Sequence, residues 1–152
     1  MRKMVPIAAF LVLGMSAGTV CASSADNPPS DLESINALEA KADQAQPREQ
    51  CFLYAQVVQQ MTELSIRQYE AGEMVQANVL LQQIQHLAQK INLSMVDNDK
   101  RLKNTEILLD RTAFRLNEML HASNLEDRPL VKQALDQVTQ AQNAAMMQVF
   151  HK

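Results

Sequence analysis

The sequence predicts an all-α fold of antiparallel helical hairpins packed as a bundle, with no strands. Three observations predict it. Beyond residue 22 glycine occurs once, at Gly72, so the chain has little of the backbone freedom that tight β-hairpin turns use. The same stretch holds all seventeen glutamines, set among Ala, Leu and Glu, residues that lose little on entering a helix. Apolar residues recur at spacings of three and four, and no stretch keeps the two-residue alternation of a half-buried strand.

Residues 1–22 stand apart from this pattern. Arg2 and Lys3 give a positive start, the run from Val5 to Gly14 is apolar, and Val20-Cys21-Ala22 forms a small-residue exit. This is the layout of a secretory signal peptide cleaved after Ala22. Two other readings compete with it. Lipidation at Cys21 wants a small residue immediately before it and finds the branched Val20. An uncleaved anchor needs about 20 apolar residues, and this run is interrupted by Pro6, Gly14, Ser16 and Gly18. Simple cleavage is the expectation, giving a periplasmic or secreted protein. Residues 23–30, with Asn27-Pro28-Pro29, read as a disordered spacer, which leaves 31–152 as one helical domain.

Within that domain punctuation places the helices. Ser30 with Glu33 three residues on is a capping box, opening a helix to about Gln44 whose apolar face is Leu32, Ile35, Leu38 and Ala42. Pro47 suits a first helical turn, and the helix it opens runs to Ala71, where Gly72 stops it. Its stripe is Tyr54, Val57, Met61 and Leu64, flanked by Cys51 and Val58. A further helix starts near Asp127-Arg128-Pro129 and carries Leu130, Ala134, Leu135, Val138, Ala141, Ala145 and Val149.

The stretch between Glu73 and Ser123 admits two readings. Leu81, Ile84, Ala88, Ile91, Met95, Asn98, Leu102, Thr105, Leu109, Thr112, Leu116 and Met119 keep an unbroken alternation of three and four. No Gly or Pro interrupts it, and the surviving phase favours one long central helix over about 73–122. Asp97-Asn98-Asp99 offers the alternative, since these residues cap helices and form turns. A break there gives four segments of nearly equal length, the pattern of an up-down-up-down bundle.

Charge and cysteine usage narrow the function. The chain carries fourteen basic and seventeen acidic residues; losing Arg2 and Lys3 with the leader would take the net charge from −3 to −5. Nucleic acid and anionic membrane surfaces both want a basic face, so neither is expected as the main partner. Losing Cys21 would leave Cys51 with no second cysteine in its own chain. Beside Phe52, Leu53 and Tyr54 in a helical pattern, it reads as a buried thiol rather than an intermolecular disulfide.

Each candidate site has a plainer explanation. Glu118 and His121 have the Glu-x-x-His spacing of di-iron bundles, but one copy stands where two are needed, and His86 is preceded at the matching position by Gln83. His121 and His151 fit helix C-termini, where positive charge complements the helix dipole. Haem attachment wants Cys-x-x-Cys-His, which is absent. Copper(I) favours soft thioethers, but Met61, Met95 and Met119 fall on the apolar seams, where a methionine stripe at helical spacing reads as core filling. Lys100, Arg101 and Lys103, with Arg111 and Arg115, lie among Asp97, Asp99, Glu106 and Asp110 as a mixed-charge face. No serine sits in a Gly-flanked elbow, and Cys51 has no neighbouring histidine. No catalytic, cofactor-binding or metal-binding residue is expected.

Two resemblances add to this reading. Tyr69-x-x-Gly72-x-Met74-x-x-Ala77, followed by Leu81 and Ile84, resembles the turn and second helix of a tetratricopeptide repeat, a family that binds peptides and partner proteins; it covers about 16 residues, with no second copy at a 34-residue period. Arg48-Glu49-Gln50-Cys51 with Tyr54-Ala55, and Lys100-Arg101-Leu102-Lys103-Asn104-Thr105-Glu106, resemble a family of small exported all-helical acidobacterial proteins. That resemblance implies export and a helical fold, and no activity or ligand. The functional expectation is therefore a non-enzymatic helical protein that packs a helix surface against another protein or itself. The Gln-rich flanks of the segments from Pro47 and from Glu73 are the expected contact. The rivals are a bundle-type carrier of a metal, haem or small hydrophobic ligand near His86, Met95 or Glu118, and a periplasmic holdase.

Overall fold

The computed structural model describes residues 30–95 and 101–150. Within them the chain forms five helices: α1 (Asp31–Gln44), α2 (Pro47–Glu70), α3 (Met74–Ser94), α4 (Leu102–Ala122) and α5 (Arg128–Phe150), with no strand among the described residues. The expected leader over 1–22, the spacer up to residue 29, the Asp97-Asn98-Asp99 turn, Lys100 and His151 lie outside the described residues.

The caps follow from the sequence. Ser30 Oγ accepts the Glu33 backbone N–H at 3.2 Å, satisfying one of the orphan donors at the start of α1. Gly72, at φ +81°, ends α2. The Glu73 N–H donates to Gln68 O at 2.8 Å and the Gly72 N–H to Tyr69 O at 3.0 Å, the bond pair of a Schellman motif. Between α4 and α5, Asn124 Oδ1 accepts from the Glu126 and Asp127 N–H groups at 3.1 and 2.9 Å. The Asn124 N–H itself donates to Tyr69 Oη at 2.9 Å, which ties this turn to the end of α2.

The continuous helix over 73–122 does not form. α3 ends at Ser94, Met95 turns extended at φ −64°, ψ 120°, and α4 begins at Leu102. The heptad phase is nonetheless a true record of burial. Leu81, Ile84, Ala88 and Ile91 on one side of the break are fully buried, and Leu102, Thr105, Leu109, Thr112, Leu116 and Met119 on the other are at most 4% exposed. A rod would give each half of the seam one partner helix, whereas folding back lets both halves share one core with α2 and α5. The periodicity encodes which side is buried and is indifferent to where the chain turns.

The arrangement around the core is not the simplest up-down order. α2 packs on α3 and on α4, and α5 packs on the same two; among the described residues α3 does not pack on α4, nor α2 on α5. Hence α3 and α4, consecutive in the chain, lie across a diagonal. Side-chain pairs give the directions. Tyr54 meets Lys90 and Asp110 meets Gln142, as antiparallel hairpins require. Glu63 meets Arg115, Ser65 meets Met119 and Asn78 meets Asp127, which makes α2 parallel to α4 and α3 parallel to α5. α1 lies outside this square and packs, antiparallel, on α2, with Asp43 reaching Lys90 of α3.

The core is aliphatic, apart from Tyr54, and contains self-satisfied hydroxyls. Tyr54, Val57, Val58, Met61, Leu81, Ile84, Ile91, Leu109 and Leu116 are at most 1% exposed, each large side chain gaining about 1.5–3 kcal/mol from burial. Thr105, Thr112 and Thr62 are buried too, their Oγ1 atoms donating to the carbonyls four residues back at 3.1, 2.8 and 2.9 Å. α5 turns small residues inward, Val131, Ala134, Val138, Ala141 and Ala145, all fully buried. Leu130 and Leu135, expected on that face, are partly buried beside it.

Two substitutions test this account. Gly72→Ala meets no atom within 4 Å, so its cost is purely that of positive φ; we expect about 1 kcal/mol and a fall in Tm of about 4 °C by calorimetry. Thr112→Val removes a hydroxyl and the backbone bond it makes together, so stability should change by less than about 1 kcal/mol, while Leu109→Ala should cost about 2–5 kcal/mol.

Candidate functional site

Parallel α2 and α4 leave a groove that no helix fills. It has a volume of about 570 Å³ and is lined by Gln59 and Glu63 from α2 and by Asp110, Arg111, Phe114 and Arg115, among others, from α4. Arg115 spans it. Its Nε donates to Glu63 Oε1 at 2.9 Å and its Nη2 to Glu63 Oε2 at 3.2 Å, the two-pronged pairing that a planar guanidinium makes with a carboxylate. Nη1 donates to Glu118 Oε2 at 2.5 Å. These bonds, Glu63 first and Glu118 second, raise the Arg115 pKa above its ordinary value. Beyond the bridge the groove continues as a smaller hollow of about 220 Å³ walled by Ile66, Tyr69 and Met119.

Phe114 is the unusual member of this surface. It is 62% exposed, although burying a phenylalanine is among the larger gains open to a chain. Arg111 beside it is exposed and forms no ion pair among the described residues. Ile107, one heptad before Phe114, is 38% exposed. An exposed aromatic next to an unpaired arginine on one helix face is the composition found where helices meet partners.

A second cluster lies on the far side of α2, where α1 docks. Tyr54, with no exposed surface, donates its hydroxyl to Asp43 Oδ1 at 2.5 Å, and Lys90 Nζ donates to the same oxygen at 2.6 Å. The Lys90 ammonium sits 4.4 Å from the Tyr54 ring centre. Gln50 Nε2 donates to Ala42 O at 3.2 Å and to Tyr54 Oη at 3.3 Å. At the other end of α1, Arg67 Nη2 pairs with Asp31 Oδ2 at 2.6 Å. The hydrogen bond from Lys90, then that from Tyr54, holds the Asp43 carboxyl below its ordinary range. Burial, then the bond to Asp43, pushes the Tyr54 phenol up, and the bond to Asp43 raises Lys90.

The residues singled out in the sequence scatter over the bundle. Glu118 is held by Arg115, and His121 is exposed in the last turn of α4. His86 is exposed on α3, beside an open hollow shared with Glu39, Gln82 and Gln83. Met95 lies just past the end of α3, level with the start of α2, so His86, Met95 and Glu118 do not converge. Met61 and Met119 are core residues, while Met146 and Met147 are exposed. Cys51 is fully buried at the start of α2. Arg101 lies over the Phe52 ring, 4.9 Å from its centre. Among the described residues no group of three or more His, Cys, Asp or Glu side chains is placed to hold a metal ion. No described helix is long and apolar enough to cross a membrane.

No family model matches the chain, and no match was found among curated proteins or solved structures. Its own geometry therefore carries the functional reading. The Glu63–Arg115 and Asp43–Tyr54–Lys90 groupings have no counterpart in the sequence patterns, because their members lie 11 to 52 residues apart and meet only through the packing of α1, α3 and α4 on α2.

The latch around Asp43 has a defined pH dependence. Asp43 is lowered from 3.8, so its contribution is complete above 3.8 and lost as the pH falls through the folded value. Lys90 and Tyr54 are raised from 10.5 and 10.0, so theirs are complete below those values and lost as the pH rises through the folded ones. Asp43→Asn should lower Tm by about 2 °C at neutral pH, a modest effect because the pair is half exposed. The gap from the unsubstituted protein should close as the pH is taken below 3.8, followed by circular dichroism melts.

Proposed function

We propose that this is an exported, non-enzymatic protein that works by packing a helical surface against another protein or a second copy of itself. The leader pattern of residues 1–22 supports export to the periplasm or the medium. The observation that carries the interaction is Phe114, 62% exposed at the edge of the groove between α2 and α4, with Arg111 beside it. Phe114 and Ile107, one heptad apart, give α4 an exposed apolar strip at the edge of the groove. This reading adds the α4 face to the Gln-rich flanks of α2 and α3 as contact surface. Gln59 lines this groove and also, with Gln60, the hollow beside α1, and its amide can hydrogen-bond across a helix interface without the desolvation cost of a charge.

A photo-crosslinking side chain at position 114 tests the reading. In the full chain, irradiated in its native host, it should give a discrete adduct whose partner peptide is identified by mass spectrometry, and the same group at exposed Lys132 should not. A strictly monomeric native mass with no adduct at 114 counts against it. Phe114→Ala should abolish the association while changing stability by less than about 0.5 kcal/mol, since the ring makes little of the core.

A further inference from the structure

We propose that α1 is an exchangeable arm, and that a second copy of this chain is its other partner: α1 leaves its seat against its own α2 and α3 and takes the equivalent seat on a second molecule, giving a reciprocal dimer.

Four features of α1 lead there. Among the described residues its backbone comes close to α2 alone and it reaches α3 only through side chains such as Asp43 to Lys90, while every other helix lies close to at least two. Its apolar contribution is small, with Ile35 and Ala42 buried and Leu38 partly so, while Leu32 is 47% exposed. Its charged contacts, Asp31 to Arg67 and Asp43 to Lys90, join side chains that are 41–65% exposed, the kind of pair that contributes little net stability. At fourteen residues it is marginal as a helix by itself, so an arm released from its groove is stabilised only by an equivalent groove.

The hinge suits exchange. Ala45 and Gln46, both extended at ψ 158° and 147°, are the whole connection between α1 and α2. Pro47 follows, and a residue before proline is held away from the helical region, so α1 and α2 cannot fuse into one helix and the hinge stays a hinge. Short hinges invite exchange, because opening them changes only a few torsions while every docked contact is remade in the partner. The seat already matches its occupant: Arg67 and Lys90 on the body face Asp31 and Asp43 on the arm, twelve residues apart, with Leu53 of α2 beside Ala37, Ala40 and Lys41 of α1. A second copy supplies the same arm without any new surface.

This goes beyond the reading above and uses a different surface, and charge reversal separates the two. One chain carries Asp31→Arg and Asp43→Lys, the other Arg67→Asp and Lys90→Asp. Each variant alone sets like charges against each other, closed or exchanged, whereas a mixed dimer restores all four pairs in trans. In native mass spectrometry of an equimolar mixture of full-length chains, mixed dimers should exceed matched ones by about tenfold, and the unsubstituted protein should dimerise increasingly with concentration. A random mixture of dimers overturns the exchange and leaves association through the α4 face standing. Monomers alone, for the unsubstituted chain and the mixture, overturn the exchange outright. Where a charge-reversed chain does not fold, a four-residue Gly-Ser insertion between Ala45 and Gln46 reads the same point: it should reduce the dimer of the unsubstituted sequence at least tenfold, and an unchanged dimer overturns the proposal.

Discussion

The structure depends on one constraint: the apolar seam shared by α3 and α4 has to face a single core from opposite corners. α3 ends at Ser94 on one corner of the square, and α4 begins at Leu102 on the opposite one. Once α3 and α4 are diagonal, α2 must neighbour both, and short turns after Gly72 and at Asn124 then make α2 parallel to α4 and α3 parallel to α5. The groove spanned by Arg115 and the bond from Asn124 to Tyr69 both follow from that parallel pairing.

Much of the fold could be read along the chain. The start of α1 at its Ser30 cap, the start of α2 at Pro47 and its end before Gly72 were all carried by residues acting on their immediate neighbours. The buried faces were legible for the same reason, since Tyr54, Val57, Met61 and Leu64, and the whole seam from Leu81 to Ile91, repeat at helical spacing. The break after Ser94 was harder, because a heptad phase continues unchanged through a turn of suitable length. The burial of Val131 is hard to read along the chain because the larger Leu130 and Leu135 lie just off its stripe and suggest a slightly rotated face.

The functional surface was much less legible. Phe114 falls outside the seam, and nothing in its neighbours distinguishes an exposed phenylalanine from a buried one until the helix is rotated into place. Lys90 and Asp43 are 47 residues apart and look like ordinary solvated charges; only the placement of α1 over α2 and α3 brings them to one tyrosine. The chemistry available in both clusters is the same: charge-assisted hydrogen bonds at half-exposed positions next to apolar side chains. Such contacts orient helices more than they stabilise them.

The parallel pairing also bears on how the chain reaches this structure. Within each hairpin, contacts near the turns join residues close in sequence, whereas those that hold the hairpins together, Glu63 to Arg115, Ser65 to Met119, Tyr69 to Asn124 and Asn78 to Asp127, join residues 49 to 55 apart. Loop closure makes the second kind slower to form. The expected order is two hairpins first and their side-by-side docking last, so that substitutions in the parallel interfaces should speed unfolding more than they slow folding in stopped-flow kinetics.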